Sequence, residues 1–187
     1  RETENQLQIL LCELAAYLHN KDMEINVWDR IIAFEGRMHE FIKAAYDYQD
    51  NTFHSHPGYY IDYFEMRLAQ LQVLHNLHYE IKKIRKMPKQ ALVIADYIMY
   101  MADVVEMNIP DQQIEKLEEI SEQMKQEELP KTREEFEGRA LLYHILMDLE
   151  EFLVYKKRFV NGLDEKKLRI YWKQEMEQKD SANELQK

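Results

Sequence analysis

The sequence predicts an all-α protein, an antiparallel bundle of five to six helices of which two are long. Apolar residues recur at spacings of three and four almost throughout the 187-residue chain, which is the period of a helix. Four glycines and four prolines are too few for the many turns of a β-sandwich or barrel. Because the breaks between the apolar stretches are short, consecutive helices should run antiparallel to each other.

The first two helices are predicted over residues 3–19 and 27–48. The polar stretch Asn20–Glu24 separates them, and the clearest break in the first half of the chain, Asp50–Gly58, follows the second. The first helix carries a single apolar stripe, as expected for a helix that packs on one side. That stripe consists of Leu7, Leu11, Leu14 and Leu18.

The third helix is predicted over residues 58–85, and Pro57 suits its first turn because an amide hydrogen is not needed there. Pro88 separates it from a fourth helix over residues 89–107. The fourth helix is apolar nearly all round, so we expect it to be buried on every side. The apolar stripe of the third helix consists of Ile61, Phe64, Leu68, Leu71, Leu74, Leu77, Ile81 and Ile84.

The fifth helix, residues 111–127, is short and acidic, and the sixth is predicted over residues 133–160. A capping box should begin the sixth helix, with the Thr132 hydroxyl accepting from the Glu135 amide and the Glu135 carboxylate reaching back. Asn161-Gly162 predicts an end in the left-handed conformation, which glycine adopts without strain.

Two domains are predicted, a helical bundle over residues 1–162 and a helical or frayed tail over residues 163–187. Within the bundle the tetrapeptide Phe-Glu-Gly-Arg occurs twice and places Gly36 and Gly138 inside helices. Glycine in a helix costs about 1 kcal/mol relative to alanine. We interpret both glycines as points where another helix approaches closely, although the repeat itself could be a coincidence.

Charge and composition exclude several classes of protein. The chain has 25 basic and 35 acidic residues and a net charge of −10, so free nucleic acid is a poor partner. The longest stretch without a charged residue is Leu68–Tyr79, twelve residues, whereas a membrane-spanning helix needs about 20. The chain starts at Arg1 without a methionine, and we expect it to be a piece of a longer protein or a processed product.

Signals for catalysis and for a cofactor are missing from the sequence. Four glycines cannot build a phosphate-binding loop, and no serine lies in a nucleophile motif. The single cysteine, Cys12, lies among leucines and predicts an inert, buried thiol. No glutamate has a histidine three residues later, which argues against a di-metal bundle. His54 and His56 provide only two metal ligands, where a structural site usually has four. We therefore predict no enzyme activity, no cofactor and no metal site.

Two stretches of the chain are unusually charged. Residues 111–137 hold ten acidic and four basic side chains, which form either a solvated face or a surface that docks or repels a partner. Residues 82–89 hold five basic side chains. These could meet anionic lipid headgroups, or they could complement the dipole at the end of the third helix.

Twelve tyrosines are the compositional oddity of the chain, and five of them lie in residues 46–63. A tyrosine cluster could line a pocket for a planar aromatic ligand whose carboxylate an arginine would pair. Alternatively the rings fill a narrow core with their hydroxyls at its rim, and this second interpretation is the one we favour. The candidate ligand-binding residues are Tyr59, Tyr60, Tyr63, Arg67, Arg139 and Tyr143.

Two stretches resemble a known family. The sequences YYIDYFEMR at Tyr59–Arg67 and LPKTREEFEGRA at Leu129–Ala140, continued to Phe159, resemble the C-terminal domain of the bacterial aromatic acid exporters, which are relatives of the fusaric acid resistance proteins. The resemblance covers about Leu7–Phe159. At Gly138 the chain departs from the family, where a larger polar residue is expected.

The resemblance implies a parent protein whose N-terminal half is a bundle of membrane helices. This chain would be its soluble C-terminal domain on the cytoplasmic face of the bacterial cell membrane. The implied partners are that membrane-embedded region, further copies of the chain in a homo-oligomer, and a small aromatic acid. The implied role is structural, in oligomerisation or in ligand sensing; the alternatives are a free-standing helical adaptor that binds other proteins and, less favoured, a ligand sensor with a tyrosine-lined pocket.

Arg67 and Arg139 each follow an acidic residue by two positions, Glu65 and Glu137. Residues two apart do not face each other on a helix. We therefore predict that each arginine, if buried, pairs with an acid on another helix and fixes the register of the bundle. The alternative is that these arginines bind the carboxylate of a ligand.

Overall fold

The computed structural model describes residues 1–21, 26–51 and 57–163, and within these ranges it contains six α-helices and no strand. The predicted all-α class and the helical bundle are confirmed, and the helix ends agree with prediction within a few residues. The pair His54 and His56, and the predicted tail beyond Leu163, lie outside the described residues. The helices are α1 (Glu2–His19), α2 (Val27–Asn51), α3 (Pro57–Lys83), α4 (Ala91–Asp103), α5 (Pro110–Lys125) and α6 (Arg133–Gly162).

Helix α3 holds the bundle together, because α2 packs along one side of it and α6 along another. Helix α1 packs mainly on α4, and α5 packs on α6. The predicted stripe of α3 faces this core: six of its eight residues are buried, while Phe64 and Leu68 are partly buried against it. The leucines predicted to form the stripe of α1 are all buried.

The predicted burial of the fourth helix on every side is wrong. Leu92, Val93 and Met99 of α4 are 46%, 45% and 42% exposed. The reason is position: α4 packs on α1 and only slightly on α5, so it lies at the edge of the bundle and its opposite face reaches solvent. Even so, Tyr97 of α4 is buried, and its hydroxyl donates to the Gln113 carbonyl oxygen at 2.6 Å.

The close approach predicted at the two helical glycines occurs at only one of them. A Cβ added to Gly138 would lie 2.9 Å from Pro88 Cγ and 3.1 Å from the Lys86 carbonyl oxygen, so the connection between α3 and α4 crosses α6 there. A Cβ added to Gly36 would meet nothing within 4 Å. The prediction of a close approach is therefore right for Gly138, although a connection and not a helix approaches there, and it is wrong for Gly36.

At the N-terminus of α6 the structure contains the predicted Thr132 cap, and at its C-terminus it differs from the prediction. The Thr132 hydroxyl accepts from the Glu135 amide at 3.1 Å, as predicted, but the Glu135 carboxylate accepts from the Lys131 amide at 2.9 Å rather than from Thr132. The left-handed end at Gly162 is wrong, because no described residue has a positive φ. Instead α6 tightens into a turn in which the Leu163 amide donates to the Val160 carbonyl oxygen at 3.2 Å.

Candidate functional site

The six candidate ligand-binding residues fall into two groups at opposite ends of α6. Helices α3 and α6 are antiparallel, because the ring of Phe159 lies 5.6 Å from that of Tyr59 and 5.8 Å from that of Tyr63. Arg139 lies about 30 Å from Phe159 along α6, at 1.5 Å per residue. One pocket cannot contain both groups, which are Tyr59, Tyr60, Tyr63 and Arg67 on α3, and Arg139 and Tyr143 on α6.

The α3 group contains a buried polar network around Arg67, whose side chain is 4% exposed. Its Nε donates to the Tyr63 hydroxyl at 3.2 Å, and its Nη1 donates to Gln70 Oε1 at 2.8 Å. Its Nη2 lies 3.7 Å from Glu4 Oε1 on α1. Gln70 in turn donates to the Phe152 carbonyl oxygen on α6 at 2.9 Å. The inter-helix ion pair predicted for Arg67 is present, and the network joins α1, α3 and α6.

The pKa values of two groups in this network, Glu4 and Tyr63, are shifted from their ordinary values. Burial of the Glu4 carboxylate acts to raise its pKa, but hydrogen bonds from the Arg1 terminal ammonium and the Tyr63 hydroxyl, together with the charge of Arg67, lower that pKa to about 2. Burial raises the pKa of Tyr63, so its hydroxyl stays protonated and donates to Glu4. The interpretation of tyrosines as core residues with partnered hydroxyls therefore fits Tyr63.

Arg139 does not make the inter-helix ion pair that the sequence predicted. Its Nη2 pairs with Glu135 Oε1 at 2.8 Å, one turn earlier on α6, and its Nη1 donates to the Glu128 carbonyl oxygen at 2.5 Å. The physical reason is spacing, since residues four apart on a helix are neighbours. The predicted pairing is therefore wrong for Arg139. This side chain binds the segment that precedes α6, through the Glu128 carbonyl oxygen, and does not fix the register of two helices.

Tyr143 lines a groove of about 310 Å³ between α5 and α6, which we call the α5–α6 groove. The two helices are antiparallel, with Lys125 of α5 near Tyr143 and the Lys157 ammonium 2.6 Å from Asp111 at the other end. Apolar side chains form the bottom of the groove and charged ones its rim. Its lining includes Leu117, Glu118, Lys125, Tyr143, Leu146 and Glu150.

His75 and His78 take part in aromatic packing. The His75 ring meets the Trp28 ring edge-on at 4.2 Å and stacks on Tyr79 at 5.6 Å, and its Nδ1 lies 3.7 Å from Glu35. Burial lowers the pKa of His78. Across the described ranges, no three or more His, Cys, Asp or Glu side chains are grouped so that they could hold a metal ion.

Lys156 is a buried residue that the sequence analysis did not single out. Its ammonium donates to the carbonyl oxygens of Val105, at 2.8 Å, and Met107, and so ties α6 to the end of α4. Burial, with repulsion from Arg67, lowers the pKa of Lys156 to about 8. A signal was available, because Lys156 lies three residues after Leu153 on the buried stripe of α6. Cys12 is half-buried, and burial raises the pKa of its thiol.

Three exposed aromatic rings lie on α2 and α3 around the partly buried ring of Phe64, and we call these four residues the aromatic end: Phe41, Tyr46, Tyr60 and Phe64. Phe41, Tyr46 and Tyr60 are 38%, 45% and 40% exposed, and the Phe41 ring lies 5.1 Å from that of Phe64. Tyr46 donates to Glu65 at 3.3 Å. None of residues 41–50 is fully buried, although the first half of α2 contributes four residues to the core.

None of the helices in the described part of the chain combines the length and the apolarity that crossing a bilayer requires.

The profile of the family described as "Putative aromatic acid exporter C-terminal domain" matches residues 1–157. A Bacillus subtilis (strain 168) protein described as "Uncharacterized protein YqjA" is 25% identical over 162 residues, which make up 85% of this chain and 49% of that protein. The chain thus spans about half the length of this curated relative.

A solved structure has the same fold. It is titled "Crystal structure of putative membrane protein from Clostridium difficile 630" and superposes with a TM-score of 0.77. The two sequences are 24% identical, and the match covers 84% of this chain and 92% of that chain.

Proposed function

This chain belongs to the family of aromatic acid exporter C-terminal domains, and from that premise we propose that it joins copies of a membrane exporter to one another on the cytoplasmic face of the bacterial membrane. The family is one of exporter domains and not of enzymes. The chain corresponds to about half of its Bacillus relative, and we assign the remaining half of such a parent protein to the membrane. The exported substrate would be a small aromatic acid.

The observation that carries this role is the aromatic end. Large contiguous apolar patches are rare on monomers and mark interaction sites. Aromatic residues are enriched in the buried centres of protein interfaces. Phe41 and Tyr46 extend from a stretch of α2 that contributes no fully buried residue, so this stretch gains little from the bundle of its own chain. A second copy offers the same rings in a closed, two-fold contact, which is the commonest way in which soluble proteins assemble.

A ligand-sensing role stays our second proposal, and it concerns the α3 group. Tyr59, Tyr60 and Tyr63 would stack on the ring of an aromatic acid, and Arg67 would bind its carboxylate. The contacts of Arg67 argue against this use, because Glu4, Tyr63 and Gln70 already occupy its guanidinium. A ligand carboxylate would have to displace Glu4. Arg139 and Tyr143 would belong to a different site.

The oligomeric state of the purified 187-residue chain tests the first proposal. We expect light scattering on a size-exclusion column to give a dimer or a larger assembly, and Phe41→Glu or Tyr46→Glu to give a monomer. Phe136→Glu is the matched control, because Phe136 is 62% exposed but lies in the first turn of α6, at the other end of that helix from Phe159. A monomeric parent chain, or an equal effect of the control, would contradict self-association through the aromatic end.

Two further measurements separate the alternatives. Titration with benzoate, followed by tyrosine fluorescence, should leave the spectrum unchanged if the domain only assembles, and a saturable change lost in Tyr59→Leu would favour ligand sensing. The coding sequence upstream of Arg1 distinguishes an exporter from an adaptor. Four or more apolar spans of about 20 residues would support the exporter, and a nearby start codon would support the adaptor.

A further inference from the structure

The α5–α6 groove has a bottom of apolar side chains that are firmly held by the core. Leu117 and Leu146 are each 3% exposed, and Tyr143 is partly buried against the same core. Met147 lies beside them, and its side chain is 63% exposed. The volume of about 310 Å³ lies at the lower limit of clefts that hold small-molecule ligands. The groove is therefore large enough for one small molecule with an apolar body.

The rim of the groove is acidic. Three glutamates, Glu118, Glu122 and Glu150, face a single base, Lys125, and give the groove a formal charge of −2. The Lys125 ammonium lies 2.6 Å from Glu122, and this pair raises the pKa of Lys125. Within the described part of the chain, no basic side chain lies within 4.0 Å of the carboxylate of Glu118 or Glu150.

We propose that the α5–α6 groove binds a small organic cation, an amine whose apolar body lies on Leu117, Leu146 and Met147 and whose ammonium contacts Glu118 and Glu150. Three features point to this class of ligand together: a cavity of suitable size, an apolar bottom and two carboxylates that no internal base neutralises. The Tyr143 ring, at the Lys125 end, offers a face on which an aromatic body can stack.

The sign of the charge separates this ligand from an aromatic acid. A carboxylate in the groove would face two uncompensated glutamates, and like charges at close range repel each other. The surrounding stretch, residues 111–137, carries ten acidic and four basic side chains and strengthens the attraction for a cation. The site lies between α5 and α6 and does not depend on self-association through the aromatic end.

Three compounds that share one phenyl ring test the proposal: 2-phenylethylamine, 2-phenylethanol and phenylacetate. We expect calorimetry on the 187-residue chain to show saturable binding of the amine, weaker binding of the alcohol and none of the acid. The ¹³C-labelled methyl signal of Met147 should shift with the amine. Binding should weaken when salt is raised, because the attraction is partly electrostatic.

The double variant Glu118→Gln, Glu150→Gln should weaken amine binding at least tenfold while the chain stays folded. The matched control is Glu115→Gln, Glu119→Gln, which also removes two negative charges but outside the lining of the groove, and it should bind as the parent does. An equal loss in both variants, or binding of phenylacetate as tight as that of the amine, would overturn the proposal. Tighter binding of a basic amphipathic peptide than of the amine would also overturn it, in favour of a protein partner.

Discussion

Arg67 of α3 and Glu4 of α1 form an ion pair across the bundle, with Nη2 3.7 Å from Oε1 and side chains that are 4% and 15% exposed. The pair lies where three helices meet, and its hydrogen bonds continue through Gln70 to the backbone of α6. Loss of either partner would leave a charge in a largely buried place.

Arg67→Met should lower the free energy of unfolding by about 3–5 kcal/mol, because breaking a buried pair leaves the other charge uncompensated. Arg139→Met is the natural comparison, because it removes an ion pair within α6, worth about 0.3–0.5 kcal/mol at this spacing, and one hydrogen bond to the Glu128 carbonyl oxygen, worth about 1 kcal/mol, so its loss should be smaller. Urea denaturation of both variants measures the difference. Equal losses would mean that Arg67 does not hold the helices in register.

Acid should destabilise the 187-residue chain through Glu4, whose carboxylate accepts from the terminal ammonium that this chain carries at Arg1 and from the Tyr63 hydroxyl. The pKa of Glu4 is about 2 in the folded chain and 4.5 in a model peptide, so the unfolded chain binds the proton more tightly. The contribution of Glu4 is therefore complete above about pH 4.5 and is lost as the pH falls towards 2. Denaturation curves between pH 6 and pH 3 should show this loss, and Glu4→Gln should reduce it. An identical pH dependence in Glu4→Gln would contradict the role of Glu4.

Base should stabilise the protein through Lys156. Its pKa is about 8 in the folded chain and 10.5 in a model peptide, so the unfolded chain holds more protons between these values and stability rises with pH. We expect a rise of about 2 kcal/mol between pH 7.5 and pH 9.5. Lys156→Met should lack this rise, whereas Lys157→Met, which removes an exposed pair with Asp111, should keep it. A rise that survives in Lys156→Met would assign it to another group.

The two glycines of the repeated tetrapeptide should respond to alanine in opposite directions. Gly138→Ala puts a methyl group 2.9 Å from Pro88 Cγ and 3.1 Å from a backbone oxygen, and overpacking of this kind costs about 1–3 kcal/mol. Gly36→Ala meets nothing within 4 Å and should stabilise α2 by about 0.5–1 kcal/mol. Thermal unfolding of the two variants gives the comparison. A shift of the same sign in both would show that packing at Gly138 does not control the outcome.

Local patterns in the sequence were sufficient for the helices and for the Thr132 cap, because both depend on residues within one turn of each other. The partner of Arg139 is also local: Glu135 lies four positions earlier and is a neighbour on the helix surface, whereas Glu137, two positions earlier, is not. The sequence does not reveal contact partners that lie on distant helices. Nothing near Arg67 in the sequence indicates that α1 would supply Glu4, or that Lys156 would meet the end of α4.

The same limit explains the error about α4 and the separation of the candidate ligand-binding residues into two groups. An apolar composition predicts burial, but it does not say whether a helix has neighbours on all sides, and α4 has them mainly on one. The sequence supplies tyrosines and arginines as candidates for binding an aromatic acid, but it does not say which of them share a site. The antiparallel arrangement of α3 and α6 separates them, and a single sequence does not reveal which helices lie side by side.

Helix α6 runs for 30 residues without a proline, a rod of about 45 Å. Its middle borders the α5–α6 groove from Tyr143 to Glu150, and its C-terminal end reaches the first turn of α3 through Phe159. The part of α6 between the groove and Gly162 is about 20–28 Å long, so a tilt of about 5° at the groove moves that end of the helix by about 2 Å. Because the helix is stiff, a ligand that tilts α6 at the groove would also shift the contact between Phe159 and the first turn of α3.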